Sequence, residues 1–237
     1  MHENNVTRPL HIVLLLPEHE LKRHRKYTNI SDPRLSKDTA WEKIIDLFME
    51  KGTKYLTLAV LSDNSSDPEG SIHISIDQLI KSIEGRIKVL NTLGIKIDRI
   101  MIRDSPNQAK LQFIKAADNR KKEDGSLTLN VVFFDDGRTE IVNAIKKLLR
   151  NNTPHSSISE GVFRASLPYK ELPDPDMIVT VGSGIRLNNP FLWQSAYSEL
   201  HSISTPWNNI GRYEINSIFE IFRDRKRRFG GIAEDTQ

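Results

Sequence analysis

Short apolar runs, each followed by a stretch with helical spacing, recur along almost the whole of this 237-residue chain. Five runs rich in apolar and β-branched residues predict strands at 11–16, Tyr55–Leu61, Ile95–Ile102, Leu127–Phe134 and Met177–Val181. The first is apolar on both faces, which is typical of a central strand in a parallel sheet. Strands that alternate with helices predict a parallel sheet covered by helices on both faces and joined by right-handed crossovers. We therefore expect an α/β fold.

The connections between these runs carry apolar residues at helical spacing. They predict helices at 41–51, 74–93, 108–119, 138–149, 191–200 and 211–228, and a short strand at 202–205. In the helix at 138–149 we expect four residues to face the sheet: Ile141, Val142, Ile145 and Leu148. The chain has no internal repeat or low-complexity linker, and 38% hydrophobic residues can bury one sizeable core. We expect a single domain over 1–237, with flexible ends at 1–9 and 232–237.

Composition excludes several kinds of protein. Without cysteine the chain has no disulfide, thiol nucleophile or thiolate metal site, and its histidines lack the spacing of zinc ligands. A net charge of +3 is too small to indicate a nucleic-acid partner. The apolar run at 12–16 is too short for a membrane span or a signal peptide, so we expect a cytoplasmic protein. The dense basic runs at 22–26 and 223–228 fit solvated faces, or attraction to a diphosphate or an acidic membrane surface.

Two turns that follow predicted strands are candidates for ligand binding. The strand Met177–Val181 is followed by Gly-Ser-Gly at 182–184 and then by Arg186. Ligands of open α/β sheets bind at the carboxyl ends of strands, and backbone N–H groups beside a guanidinium suit phosphate. A glycine turn with a surface arginine is the simpler alternative. Likewise Asp135 and Asp136 fit either a magnesium site or a turn and helix cap.

Several segments, in order and spacing, resemble the cis-prenyltransferases, the family of undecaprenyl diphosphate synthase or isoprenyl transferase. They are YLTL at 55–58, LNVVFFDDGRTEIVNA at 129–144, PD at 175–176, RL at 186–187, LWQ at 192–194, AYSEL at 196–200 and RRFGG at 227–231. The resemblance implies a six-stranded, mostly parallel sheet wrapped by helices, and a dimer. It also implies magnesium-dependent elongation of an allylic prenyl diphosphate by isopentenyl diphosphate, with a cis double bond formed.

The chain departs from the family at the end of the first strand. There the family has an aspartate that helps to hold magnesium, followed by a glycine-containing loop that cradles the allylic diphosphate. Here the aspartate position is Pro17, which has neither a carboxylate nor an N–H. Glu18 and Glu20 follow it and would repel a diphosphate. They are nevertheless the alternative acids, bases or metal ligands, together with His19.

Other family residues are kept in part. One of two family arginines falls on Thr180, whereas the metal-associated glutamate is kept as Glu199. The C-terminal arginine–any–glycine element, which in the family reaches into the neighbouring subunit's site, is intact. The resemblance thus assigns diphosphate binding to four residues: Arg186, Asn188, Arg228 and Gly230.

These departures favour a non-catalytic subunit of a heteromeric cis-prenyltransferase, which lends its C-terminal element to a catalytically competent homologue. The alternative is a stand-alone prenyl-diphosphate enzyme, either a prenyltransferase or a terpene synthase or cyclase, with a remodelled first loop. A homodimer is the alternative assembly. A third hypothesis is a protein that senses a prenyl diphosphate, or scaffolds a partner, without turnover.

Overall fold

The computed structural model of the chain describes residues 8–17, 40–61, 95–102, 127–134, 136–182 and 190–224. It contains six strands: β1 (His11–Pro17), β2 (Tyr55–Leu61), β3 (Ile95–Ile102), β4 (Leu127–Phe134), β5 (Met177–Val181) and β6 (Glu199–Ile203). Four α-helices are described: α1 (Ala40–Glu50), α2 (Gly137–Arg150), α3 (Glu160–Ser166) and α4 (Arg212–Asp224). Single-turn helices lie at His155–Ser157 and Trp207–Asn209. The helices predicted at 74–93 and 108–119 lie outside the described residues, as do 1–7 and 232–237.

The six strands form one parallel sheet in the order β3-β4-β2-β1-β5-β6. The predicted α/β fold with a six-stranded sheet is therefore confirmed. The strand β1 lies near the middle of the sheet, between β2 and β5. Its side chains alternate between two apolar faces, as its sequence predicts, and residues 11–16 are all buried.

The two faces of the sheet have separate cores. The first-face core joins β1, β2, β4 and β5 to α1 and α4, and Phe48, Ile218 and Phe222 are among its buried side chains. The second-face core is smaller: Val13, Leu15, Ala59, Val132, Tyr169, Leu172, Ile178 and Phe191. Because Tyr169 and Leu172 belong to it, the connection from β4 to β5 passes over the second face.

The predicted helix at 191–200 is wrong, and the predicted strand at 202–205 begins three residues too late. Residues 190–197 form turns, and β6 starts at Glu199. Ser195 N still donates to Phe191 O as in a helix, at 2.8 Å, but Ser198 Oγ donates to Pro175 O at 2.5 Å, which draws the chain to the start of β5. The second bond lies beside the start of β5, where the β5–β6 pairing begins.

The helix α2 buries a different face from the one that its sequence predicts. Its buried residues are Gly137, Glu140, Ala144 and Leu148. Val142 and Ile145, which we expected to face the sheet, are 47% and 45% exposed, so this part of the prediction is wrong. The small residues Gly137 and Ala144 lie on the buried face, and the larger side chains of Val142 and Ile145 are therefore partly exposed to solvent.

The helix α4 packs as predicted, with Ile215, Ile218 and Phe222 buried. Glu214 caps its start by accepting hydrogen bonds from Gly211 N at 2.8 Å and from Thr205 Oγ1 at 3.0 Å. The backbone hydrogen bond from Gly211 is the main reason that the pKa of Glu214 is lowered. Within the described ranges, every helix is too short or too polar to span a bilayer.

His11 is a buried, neutral imidazole between β1, β2 and the chain before β5. Its Nδ1 lies 2.7 Å from Pro173 O, and its Nε2 lies 2.9 Å from Thr57 Oγ1. Nδ1 therefore carries the proton and donates, while Nε2 accepts from the threonine hydroxyl. Burial lowers the pKa of His11 to about 4.

This burial predicts acid sensitivity. The unfolded chain takes up a proton on His11 near pH 6.5, whereas the folded chain does so only near pH 4. The stabilisation is thus complete above pH 6.5 and is lost as the pH falls towards 4, on the order of 3 kcal/mol in all. Urea unfolding between pH 7 and 4.5 measures it. His11→Gln, which cannot titrate, is expected to flatten the dependence above pH 5, and equal slopes in both proteins would contradict the assignment.

Candidate functional site

The candidate site is a crevice at the carboxyl edge of the sheet, between the ends of β1 and β5. From β1 the chain turns towards β2, whereas from β5 it turns the opposite way, towards β6. The β1–β5 pairing ends at Leu15 and Thr180, but β1 pairs with β2 as far as Pro17. Neighbouring parallel strands whose connections leave in opposite directions open a crevice in which α/β proteins bind ligands. We call this the carboxyl-edge crevice.

Pro17 stands at the lip of the carboxyl-edge crevice without breaking the sheet. The Leu10 carbonyl accepts a hydrogen bond from the first residue of β2 at 3.0 Å, and the His11 carbonyl accepts one from Asp176 N at 2.9 Å. Because backbone groups alternate in direction along a strand, residue 17 directs its amide towards β5. That ladder has already ended two residues earlier. A proline is tolerated here because no ladder hydrogen bond needs its N–H.

On the other side of the crevice, β5 carries a threonine, Thr180, where the resemblance predicts an arginine. Thr180 is 6% exposed, and its hydroxyl donates to His201 O at 3.4 Å. Gly182 then adopts φ 86°, a left-handed conformation that suits glycine, while its N–H donates to Ile203 O at 2.8 Å. The break predicted after β5 is therefore present at Gly182.

The remaining residues predicted near the crevice lie outside the described residues. Glu18 and Glu20 follow directly from Pro17, and Arg186 and Asn188 follow from Gly182. Pro17 and Gly182, the described residues that precede them, lie at the carboxyl ends of β1 and β5. Arg228 and Gly230, beyond α4, also lie outside the described part of the chain. Their roles stay predictions.

The structure places Glu199 at the opposite edge of the sheet. As the first residue of β6 it pairs with Met177, which is level with Ile12 of β1. Pro17 lies five residues further along β1 and two strands away. A rise of about 3.3 Å per residue and a strand spacing of about 4.8 Å put the Cα atoms of Glu199 and Pro17 roughly 19 Å apart. One chain alone therefore does not bring Glu199 to its own crevice.

The described residues do not by themselves form a closed metal site. They contain no group of three or more histidine, aspartate or glutamate side chains that converge on one point. Asp136 is the N-cap of α2, since its carboxylate accepts from Arg138 N at 3.2 Å. The helix-cap alternative is thus confirmed for Asp136, while Asp135 lies outside the described ranges.

Sequence reasoning assigned no role to Asp176, although it lies in the PD motif at 175–176. Its carboxylate Oδ2 accepts from Leu10 N at 2.6 Å and from His11 N at 3.0 Å. It thereby fixes the start of β1 against the start of β5. The signal in the sequence was an aspartate directly before a buried strand, which is equally typical of a turn.

A model of a protein family described as putative undecaprenyl diphosphate synthase matches residues 36–230. An isoprenyl transferase of Aquifex pyrophilus is 30% identical over 195 residues, which are 82% of this chain and 84% of that protein. A ditrans,polycis-undecaprenyl-diphosphate synthase of Legionella pneumophila, (2E,6E)-farnesyl-diphosphate specific, is 30% identical over 198 residues, 81% of this chain and 83% of that protein.

Two solved structures share the fold. A probable undecaprenyl diphosphate synthase of Campylobacter jejuni superposes with a TM-score of 0.63 at 18% identity, covering 97% of this chain and all of that one (100%). Lavandulyl diphosphate synthase of Lavandula x intermedia, in complex with dimethylallyl diphosphate, gives a TM-score of 0.70 at 19% identity, covering 94% and 99%. At these identities the likeness supports the fold alone.

The anchoring by Asp176 leads to a stability prediction. Asp176→Ala leaves two backbone N–H groups at the start of β1 without their acceptor, so we expect a loss of about 1–3 kcal/mol in the free energy of unfolding. Urea denaturation measures it. The matched control is Asp174→Ala, because Asp174 is exposed and pairs with Arg164 at 2.6 Å. This control should lose at most about 1 kcal/mol; equal losses would refute the anchoring role.

Proposed function

We propose that this chain, which belongs to the cis-prenyltransferase family, is the non-catalytic subunit of a heteromeric prenyltransferase. The complex would condense isopentenyl diphosphate with an allylic prenyl diphosphate. In it, the chain would complete the site of a catalytically competent homologue with its C-terminal Arg228 and Gly230. The observation that carries the proposal is Pro17 at the lip of the carboxyl-edge crevice.

The chemistry explains why this position matters. Ionisation of an allylic diphosphate builds negative charge on the leaving group, and fixed cations placed there lower the barrier. A magnesium ion held by a carboxylate supplies such charge when it is bound. Pro17 has no carboxylate, and the Thr180 hydroxyl is turned towards His201 O. The described ends of β1 and β5 at the crevice thus lack both the carboxylate that the resemblance predicts at position 17 and the arginine that it predicts at position 180.

The C-terminal element with Arg228 and Gly230 follows α4, a helix that is packed firmly into the fold. The helix α4 packs into the first-face core, and Arg212 at its start forms a two-pronged ion pair with Glu50 of α1, at 2.6 and 3.3 Å. The pair is exposed and adds little stability, so packing of α4 holds it in place. Arg228 follows four residues after the end of α4. A guanidinium suits a diphosphate in two-pronged geometry, and Gly230 allows close backbone approach.

The position of Glu199 also supports an assembly. It lies roughly 19 Å from the crevice of its own chain, so we propose it as a magnesium ligand only within the complex. The partner is a homologue that keeps the aspartate at the position of Pro17, or a second copy of this chain if the assembly is a homodimer. A peripheral contact with an acidic membrane surface is an additional proposal that rests on the basic runs at 22–26 and 223–228.

The first test is activity alone and in the complex. Purified by itself and supplied with magnesium, farnesyl diphosphate and isopentenyl diphosphate, the chain is expected to give no elongated product. Co-purification with a homologue that keeps the aspartate should restore elongation above that of this homologue alone. Sustained turnover by the single chain would overturn the proposal.

The second test concerns Arg228. In the complex, Arg228→Ala should lower kcat/KM for isopentenyl diphosphate roughly 100-fold, because one charged donor to the diphosphate is lost. The matched control is Arg223→Ala, an exposed arginine of α4 that pairs with Asp224 at 3.1 Å and should change kcat/KM less than about 2-fold. Size-exclusion chromatography checks that both complexes assemble. Equal effects of the two substitutions would refute the assigned role.

The stand-alone enzyme with a remodelled first loop is the second candidate. It is favoured by one observation: Glu18 and Glu20 follow directly from Pro17 at the carboxyl-edge crevice. Either carboxylate would then act as an acid, a base or a magnesium ligand. If the chain alone converts a prenyl diphosphate, the double variant Glu18→Gln, Glu20→Gln should abolish that conversion. Unchanged conversion would exclude this candidate.

A further inference from the structure

One side of α2 exposes a row of apolar side chains. Val142, Ile145 and Leu149 are 47%, 45% and 69% exposed. At about 100° per residue, the three positions fall within roughly 60° of one another around the helix axis, so they form one continuous row. Neighbouring exposed apolar side chains, unlike single scattered ones, indicate a surface that contacts an apolar partner. The buried face of α2 is a different set: Gly137, Glu140, Ala144 and Leu148.

Cations border this apolar row. Arg138 precedes Val142 by one turn on the same side of the helix, and Lys146 and Arg150 form a second row beside the first. All three cations are exposed. The single acidic residue in the sequence of α2 is Glu140, which is 4% exposed and lies on the buried face. The exposed side of α2 is therefore apolar and positively charged, with no carboxylate of the helix to balance it.

These charges decide between two kinds of partner. A symmetric contact between two copies of the chain sets the same patch against itself, so the cations of both helices would meet without an opposing charge from either helix. An anionic bilayer attracts all of these cations. Lysine and arginine keep their charge at the headgroups while their methylene stems, together with the apolar side chains, reach the acyl boundary. The combination favours a membrane surface over a second copy.

The fold leaves this side of α2 accessible. Lys147 Nζ donates to Ser166 O at 3.5 Å, so α3 lies along the other flank of the helix. The connection that contains α2 crosses the second face of the sheet, whereas α1 and α4 pack on the first face. A membrane that contacts α2 would therefore not cover α4, the helix that precedes the C-terminal element.

We propose that the exposed side of α2 lies on the surface of a membrane that contains anionic lipids. Val142, Ile145 and Leu149 enter the boundary between headgroups and acyl chains, and the cations contact the lipid headgroups. This contact requires neither a partner chain nor the C-terminal element. Its failure would therefore leave the proposed function untouched, and loss of elongation in the complex would leave this contact untouched.

A fluorophore on α2 tests the contact directly. The chain has no cysteine, so a single introduced thiol carries a polarity-sensitive label at a known position. Leu149→Cys puts the label on the apolar row, and the matched control Glu220→Cys puts it on the exposed side of α4. Each labelled full chain is mixed with phosphatidylcholine vesicles, with or without phosphatidylserine. We expect blue-shifted emission, and quenching by nitroxide-labelled lipid, at position 149 only and with phosphatidylserine only.

Vesicle sedimentation of the unlabelled chain measures the contributions. Lys146→Gln should lower the partition coefficient about 5-fold, because a cation near an anionic surface is lost. The matched control Lys43→Gln, at an exposed lysine of α1, should change it less than about 2-fold. The double variant Ile145→Ser, Leu149→Ser should lower it at least about 10-fold. Circular dichroism checks that each variant is folded.

Three results would overturn the proposal. The first is no binding to either kind of vesicle. The second is binding without a change at position 149, which would assign the membrane contact to the basic runs at 22–26 and 223–228. The third is a change at position 149 that grows with protein concentration in the absence of vesicles, which would assign the row to a second copy of the chain.

Discussion

The structure depends on the double pairing of β1, a strand that is apolar on both faces and hydrogen-bonded on both edges. It pairs with β2 along its full length and with β5 over four residues. Burial on both faces contributes the largest favourable term, at roughly 25 cal/mol per Å² of apolar surface. It also requires that every backbone group be paired, because an unpaired amide in such an interior costs more than a hydrogen bond contributes. The helices α1 and α4 share a core with one face of this strand, and Tyr169, Leu172 and Phe191 share a core with the other.

The same pairing decides what is allowed at the crevice. Only where β5 diverges does β1 tolerate a residue without an N–H, and Pro17 stands there. At Pro17, where the resemblance predicts the family's aspartate, the sheet thus needs no particular side chain or amide. Pro17 leaves the pairing of β1 intact, so the chain forms the parallel sheet without a carboxylate at this place.

Much of the sheet was predictable, because it follows from local pattern and a handedness rule. Five strand positions and the parallel arrangement came from apolar runs alternating with helices. The turn at 190–197 was not predicted, since the Ser198–Pro175 hydrogen bond and the β5–β6 pairing outweigh a helical pattern that fits equally well. The rotation of α2 was missed because a run such as Ile141-Val142 fits two inward faces, and the structure buries Gly137 and Ala144 while Val142 and Ile145 are exposed. Of the site, the end of β1 and the break at Gly182 were predictable, but the distance of Glu199 from the crevice needed the β5–β6 register.

The carboxylate of Asp176 lies 166 positions along the chain from the Leu10 amide that it binds. During synthesis, which proceeds from the N-terminus, β1 leaves the ribosome long before β5 exists. Until β5 has been synthesised, β1 can pair with β2 on one edge, while its other edge has no strand to pair with. Long-range pairings of this kind slow folding and leave unpaired strand edges exposed to other chains. A nascent chain with this order of strands is therefore most open to aggregation before β5 has been synthesised.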